Sequence, residues 1–298
     1  MIERARLKAI QRLAGSTLAE NGCLSSLPIR PKELAKSIGI NVIPFNPPQL
    51  DISGCLMVVG NTFGIGYSTA IQNEGFQNFT VAHELGHYFI DDHPSAVLVD
   101  GKHFSRSGFI SKDRYEREAD AFAAALLMPW KLIDPVIRRS APGFDAIKAL
   151  SDACESSLVA SAIRYCEETS ECVAAVVSHR GAVEFMTASQ SFKQLPGIEW
   201  LRKREQIPDG VPTRRLGTDM EWVGRCEVVL EGSLLNQWFP DAAQQEVEED
   251  VVGLGSYDRT LTVLVTEAAP EVDDDEDNEE AGDGYIERMK EGRFRPRK

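Results

Sequence analysis

No stretch of this chain approaches the about eighteen consecutive apolar residues of a membrane span, and its start, MIERARLKAIQRLAGS, has no continuous apolar run of the signal-peptide kind. Its six cysteines (Cys23, Cys55, Cys154, Cys166, Cys172 and Cys226) are scattered without any C-x-x-C pair. That excludes a disulfide framework or a cysteine-rich zinc knuckle and suits reduced, buried thiols. Positive charge is also short: 32 Lys and Arg stand against 46 Asp and Glu, for a net charge of −14. A chain of that sign has no electrostatic footprint for gripping nucleic-acid phosphates. The acidic run EVDDDEDNEEAGD, residues 271–283, accounts for nine of those charges. The expectation is a soluble, cytoplasmic protein with no membrane contact and no direct nucleic-acid binding.

Against these absences stands FTVAHELGHYFI, Phe79 to Ile90. His83, Glu84 and His87 form H-E-x-x-H, and four residues is close to one helical turn, so both imidazoles leave one face of a helix about a turn apart. That separation suits two ligands of one tetrahedral metal, with Glu84 beside the open position as a general base. The bland alternative is an accident on an amphipathic helix; with five His in the chain it arises on the order of one time in a hundred. The spacing predicts a helix ended by Asp91-Asp92-His93-Pro94, since the residue before Pro disfavours helix. His93 and His103 then fall in a loop, where a histidine is more often solvated than bound in a site.

A third ligand is sought on the next helix, SKDRYEREADAFAAALLMPW, Ser111 to Trp130. Ala119, Phe122, Ala123 and Leu126 make its inward stripe, and Glu116, three residues before Ala119, falls on that stripe. An inward carboxylate is costly unless paired, hydrogen-bonded or bound to metal. Asp120 lies on the neighbouring face, placed to accept the free N–H of a ligating imidazole. Glu118 points roughly two hundred degrees away from Glu116 about the helix axis, which predicts a solvated or salt-bridged side chain and leaves it as the alternative ligand.

Around this pair, residues 2–20 have helical spacing with Ile2, Ala5, Leu7, Ile10, Leu13 and Leu18 inward, and 31–39 read as a short helix opened by Pro31 and closed by Gly39. Strands are expected at 40–44, 52–60 and 64–71, with a Pro-rich turn at 46–48, and short helices near 130–139, 144–154 and 157–168. Residues 172–178 and 182–187 form a hairpin that leaves His179 exposed at its turn. The segment Ser105 to Gly108 reads as a mobile loop bordering the cleft. Residues 190–268, with Trp200, Trp222 and Trp238, read as a β-rich accessory unit, either a docking surface or a cap that buries those aromatics. The division is thus 1–189, 190–268, and a tail over 269–298 that is acidic and disordered, then basic.

FTVAHELGHYFIDDH followed by EREADAFAAALLMP resembles the ImmA/IrrE family of zinc metallo-endopeptidases, over roughly residues 30–190. One departure is Gln77-Asn78, where members of the family often carry arginines. The resemblance implies an α+β fold: a zincin-like core, with a small sheet packed on the H-E-x-x-H and E-x-x-x-D helices, carrying here a C-terminal β-rich region. It implies His83, His87 and Glu116 as ligands of one Zn²⁺, Glu84 as general base and acid, and Asp120 as the partner of a ligand. Mn²⁺ or Fe²⁺ also suits such a donor set. Relatives of this kind cleave transcriptional repressors in stress response or in the control of mobile elements. Since this chain shows no recognisable helix-turn-helix, its protein substrate would be a separately encoded repressor. The leading expectation is therefore a metal-dependent endopeptidase, with Tyr115 and His103 as candidates for an oxyanion donor. The alternatives are a regulatory binding module with a structural or residual metal, and hydrolysis of a non-peptide amide.

Overall fold

The computed structural model describes residues 2–46, 52–106 and 113–268. The expected turn at 46–48, the end of the Ser105–Gly108 segment and the charged tail therefore lie wholly or largely outside the described residues. Among those described, no helix is long and apolar enough to cross a membrane.

The chain opens with α1 (Ile2–Glu20), α2 (Pro31–Ser37) and a four-stranded sheet of β1 (Asn41–Phe45), β2 (Ile52–Val59), β3 (Thr62–Ser68) and, further on, β4 (Lys102–Arg106). The sheet order is β1-β3-β2-β4, with β1 parallel to β3 and β2 antiparallel to both of its neighbours. Alternation aims Leu56 and Ile65 at one face, where both are fully buried. Against that face lies α3 (Glu74–Phe89), capped by the Asn73 side chain, which accepts from the Phe76 amide at 2.9 Å. The helix buries Val81, Ala82 and Leu85 completely, and a leucine so placed contributes about 2 kcal/mol in transfer terms.

After the short α4 (His93–Val97) and β4 comes α5 (Arg114–Leu127), capped by Asp113, whose carboxylate accepts from the Tyr115 amide at 2.8 Å. Its predicted stripe, Ala119, Phe122, Ala123 and Leu126, is fully buried. The two site helices cross closely because α3 offers Gly86 at the contact: a Cβ there would stand 3.1 Å from the Ala119 Cα and 3.2 Å from the Phe122 Cβ. The N-terminal helix α1 packs on α5. It buries Ile10 and Leu18 as expected, together with Ala14 and Thr17, while Ala5 is exposed.

Three helices follow, α6 (Trp130–Ile137), α7 (Phe144–Cys154) and α8 (Leu158–Glu168), then a five-stranded antiparallel sheet ordered β6-β5-β9-β8-β7. Its strands are β5 (Val173–His179), β6 (Ala182–Ala188), β7 (Val228–Leu234), β8 (Glu246–Gly253) and β9 (Arg259–Val265). The β5–β6 turn is Arg180-Gly181 with φ of 50° and 78°, the doubly positive geometry that glycine favours in a two-residue hairpin, and His179 beside it is exposed. Because β5 is flanked by β6 and β9, one sheet joins the hairpin to strands from beyond residue 190. Residues of β5 alternate between two cores. Val173, Ala175 and Val177 join the cluster containing α7 and α8, while Ala174 and Val176 join Phe192, Trp238 and Phe239. Trp222 and Trp238 are buried, whereas Trp200 is half exposed.

Candidate metal centre

Three elements meet at the mouth of the first core. Helix α3 supplies His83, Glu84 and His87, α5 supplies Glu116 and Asp120, and β4 supplies His103. The helical turn does what the spacing predicts: the Nε2 atoms of His83 and His87 stand 3.1 Å apart. The Glu116 carboxylate reaches between them, 3.3 Å from His83 Nε2 and 3.4 Å from His87 Nε2. One ligand atom from each of these residues lies within 4.8 Å of the others, the compactness a single ion requires. Behind the first imidazole, Asp120 faces His83 Nδ1 at 2.9 Å.

Glu84 lies alongside, fully buried, and neither of its oxygens has a hydrogen-bond partner of good geometry. Strand β2 closes over it at a register irregularity between Ile52 and Gly54. The approach is so close that a Cβ on Gly54 would stand 2.6 Å from Glu84 Oε1.

The electrostatics describe a pocket built for positive charge. Burial alone would lower the His83 pKa, but hydrogen bonds with Asp120 and Glu116 and the nearby charge of Glu84 outweigh it, pushing it up to about 10. Burial and its imidazole neighbours take His87 the other way, to about 4. Burial raises Glu84 above the usual carboxylate range. Burial acts in the same sense on Glu116, yet the imidazoles of His103, His83 and His87, with ring nitrogens 3.0, 3.3 and 3.4 Å from its oxygens, hold it well below that range. Three carboxylates thus surround two imidazoles, and the acids draw a proton onto His83. A cation of higher charge answers the same demand, and the N/O donor set fits Zn²⁺ as well as Mn²⁺ or Fe²⁺.

The two loop histidines require correction. His93 is not solvated: it opens α4 and is fully buried, with Nδ1 3.1 Å from His87 Nδ1 and Nε2 3.1 Å from Glu118 Oε2. Pro94 at the second position of α4 favours a new helix start here. His103 sits in β4 with its ring against that of His87, centroids 4.5 Å apart, and Nε2 3.0 Å from Glu116 Oε1. His103 alternates with exposed Phe104 along β4, so an apolar-inward reading of this strand would have turned the histidine outward. Glu118 takes the salt-bridged option but in burial, held by Arg6 and Arg114. Tyr115 packs edge-on to His93, with ring centroids 5.1 Å apart.

Fold and site together define an α+β domain in which an H-E-x-x-H helix and an acid-bearing helix share one cluster of potential metal ligands. Residues 35–149 match the family model described as the IrrE N-terminal-like domain, Peptidase_M78. The matched stretch contains every residue of the cluster and leaves α1 and the five-stranded sheet outside it. A search of curated proteins finds no match. Among solved structures, one described as a Mycobacterium tuberculosis transcriptional regulator superposes with a TM-score of 0.53 at 13% identity, over 88% of this chain and 76% of that chain. At that identity the likeness is one of fold.

Proposed function

We propose that the chain is a metal-dependent endopeptidase, with one Zn²⁺ held by His83, His87 and Glu116. The observation that carries this reading is Glu84, a fully buried carboxylate with no hydrogen-bond partner beside three converging donors. A purely structural ion would have no use for it, and leaving it unpaired costs stability. A bound Zn²⁺ supplies Lewis-acid activation of water and of a carbonyl. Glu84, its affinity for protons raised by burial, takes the proton of the attacking water and delivers it to the leaving amide nitrogen. Asp120 orients His83 through its Nδ1, and His103 shares the carboxylate of Glu116. As the edge strand of its sheet and the carrier of His103, β4 is placed to pair with an extended segment of substrate.

A strand edge beside the cluster suits an extended protein segment as substrate. By likeness to the family and to a fold found in a transcriptional regulator, we infer that the substrate is a regulatory protein such as a separately encoded repressor. The test is Glu84→Gln, assayed on candidate repressors and a peptide library. The variant should keep one Zn²⁺ per chain and its fold while losing at least about a thousandfold in cleavage rate. Normal cleavage by the variant would sink the mechanism. Wild type that holds metal yet cleaves nothing would favour a regulatory binding module.

A further inference from the structure

Asp92, His93 and Glu118 form a second cluster of potential ligands outside the three donors already described. Its positive charge is already in place. Arg6 of α1 donates from Nε and Nη2 to Glu118 Oε2 at 3.1 and 2.9 Å, and from Nη2 to Asp92 Oδ1 at 2.5 Å. Arg114 donates from Nε to Glu118 Oε1 at 2.6 Å and from Nη2 to Asp92 Oδ2 at 2.9 Å. Two guanidinium groups thus neutralise two carboxylates, which leaves the cluster no call for an ion. What it holds instead is one edge of a buried imidazole.

The hydrogen-bond directions follow in sequence. Glu118 is clamped as a carboxylate by guanidinium donors on both oxygens, Arg6 on Oε2 and Arg114 on Oε1, so its oxygens only accept. His93 Nε2, 3.1 Å away, must therefore donate. In neutral His93 the other nitrogen, Nδ1, then carries a lone pair. Facing it at 3.1 Å is Nδ1 of His87, which must be the donor in its turn. That leaves His87 Nε2 unprotonated and turned toward His83 and Glu116. The opposite tautomer of His87 would set two lone pairs against each other at the His93 contact and point an N–H at the ligand cluster.

We propose that His93 is the positioning residue for His87, fixing it as the Nδ1–H tautomer, and that the Arg6–Glu118–Arg114 clamp fixes His93. The proposal rests on the reading of His83, His87 and Glu116 as a metal site, and it gives each imidazole its own anchor: Asp120 behind His83, His93 behind His87. It also ties the site to α1, which lies outside the segment matched by the family model.

The test uses the full chain and two readouts. In metal-free wild type labelled with ¹⁵N-histidine, long-range ¹H–¹⁵N spectra should show His87 protonated on Nδ1. Competition between the protein and a chromophoric chelator for Zn²⁺ should show affinity falling about 10- to 100-fold in His93→Phe, which keeps a ring but offers no acceptor. His93→Gln, whose amide oxygen can accept from His87, should recover most of that loss. Wild type with His87 protonated on Nε2 overturns the proposal without any variant. So does a His93→Phe protein that binds Zn²⁺ as tightly as wild type. If wild type takes up no Zn²⁺ at all, it is the metal reading that fails, and the tautomer spectrum still decides the role of His93.

Discussion

Gly54→Ala separates the proposed general base, Glu84, from the proposed metal ligands. A Cβ at residue 54 would stand 2.6 Å from Glu84 Oε1 and 2.5 Å from Thr80 Cγ2, both inside any tolerable contact, so something must move by about an ångström. Thr80 is part of α3 and buried, whereas the Glu84 carboxylate is the end of a side chain with three rotatable bonds, so the carboxylate yields first. Overpacking of this kind costs about 1–3 kcal/mol, and removing a glycine from a strand returns about 0.5–1. The net is a destabilisation of about 1–2 kcal/mol, or a fall in Tm of roughly 2–8 °C for a chain of this size. Function should suffer more, because a displacement of about 1 Å in a catalytic group costs on the order of a hundredfold in rate. None of the three atoms nearest to that Cβ belongs to His83, His87 or Glu116, so Zn²⁺ content should remain at the wild-type level. The assay is cleavage of a library peptide on which wild type is active, with metal analysis and a thermal melt beside it. In a Thr80→Ser background, which removes the methyl clash only, Tm should recover while activity stays low. Full activity in Gly54→Ala, or metal lost in step with activity, would refute the reasoning.

Two further outcomes test the rest of the molecule. Burial pushes the thiols of Cys154 and Cys166 up to about 12, so at pH 8 only about one molecule in ten thousand carries either thiolate. A thiol reagent applied to native protein should therefore modify exposed Cys226 and spare those two, as peptide mapping by mass spectrometry would show. In the second sheet, buried Glu249 accepts from the Thr213 amide and hydroxyl at 2.7 and 2.5 Å, from Ser233 at 2.7 Å and from Trp238 Nε1 at 3.0 Å. Glu249→Gln turns an NH₂ toward one pair of those donors and should cost about 2–4 kcal/mol, read as a lower Tm together with a shift in tryptophan emission.

Local chemistry was enough to locate the two site helices. The rise and turn of a helix act over four residues, so H-E-x-x-H brought two imidazoles together without help from the rest of the chain. The apolar stripe of α5 turned Glu116 inward and Glu118 away from it by the same periodicity. The caps at Asn73 and Asp113 and the Arg180-Gly181 turn belong to this class too. Tertiary structure decided what surrounds those helices. His103 enters the site only because β4 pairs with β2, a partner nearly fifty residues earlier in the chain. His93 is buried rather than solvated because α1, from the far end of the chain, brings Arg6 to Glu118 and closes the space around it. Likewise, the hairpin at 173–188 shares a sheet with β9 because backbone pairing depends on which edge is open, and no short stretch of sequence carries that information. Spacing within one element is set by bonds and sterics a few residues long. The pairing of elements is set by burial and hydrogen bonding summed over the whole fold.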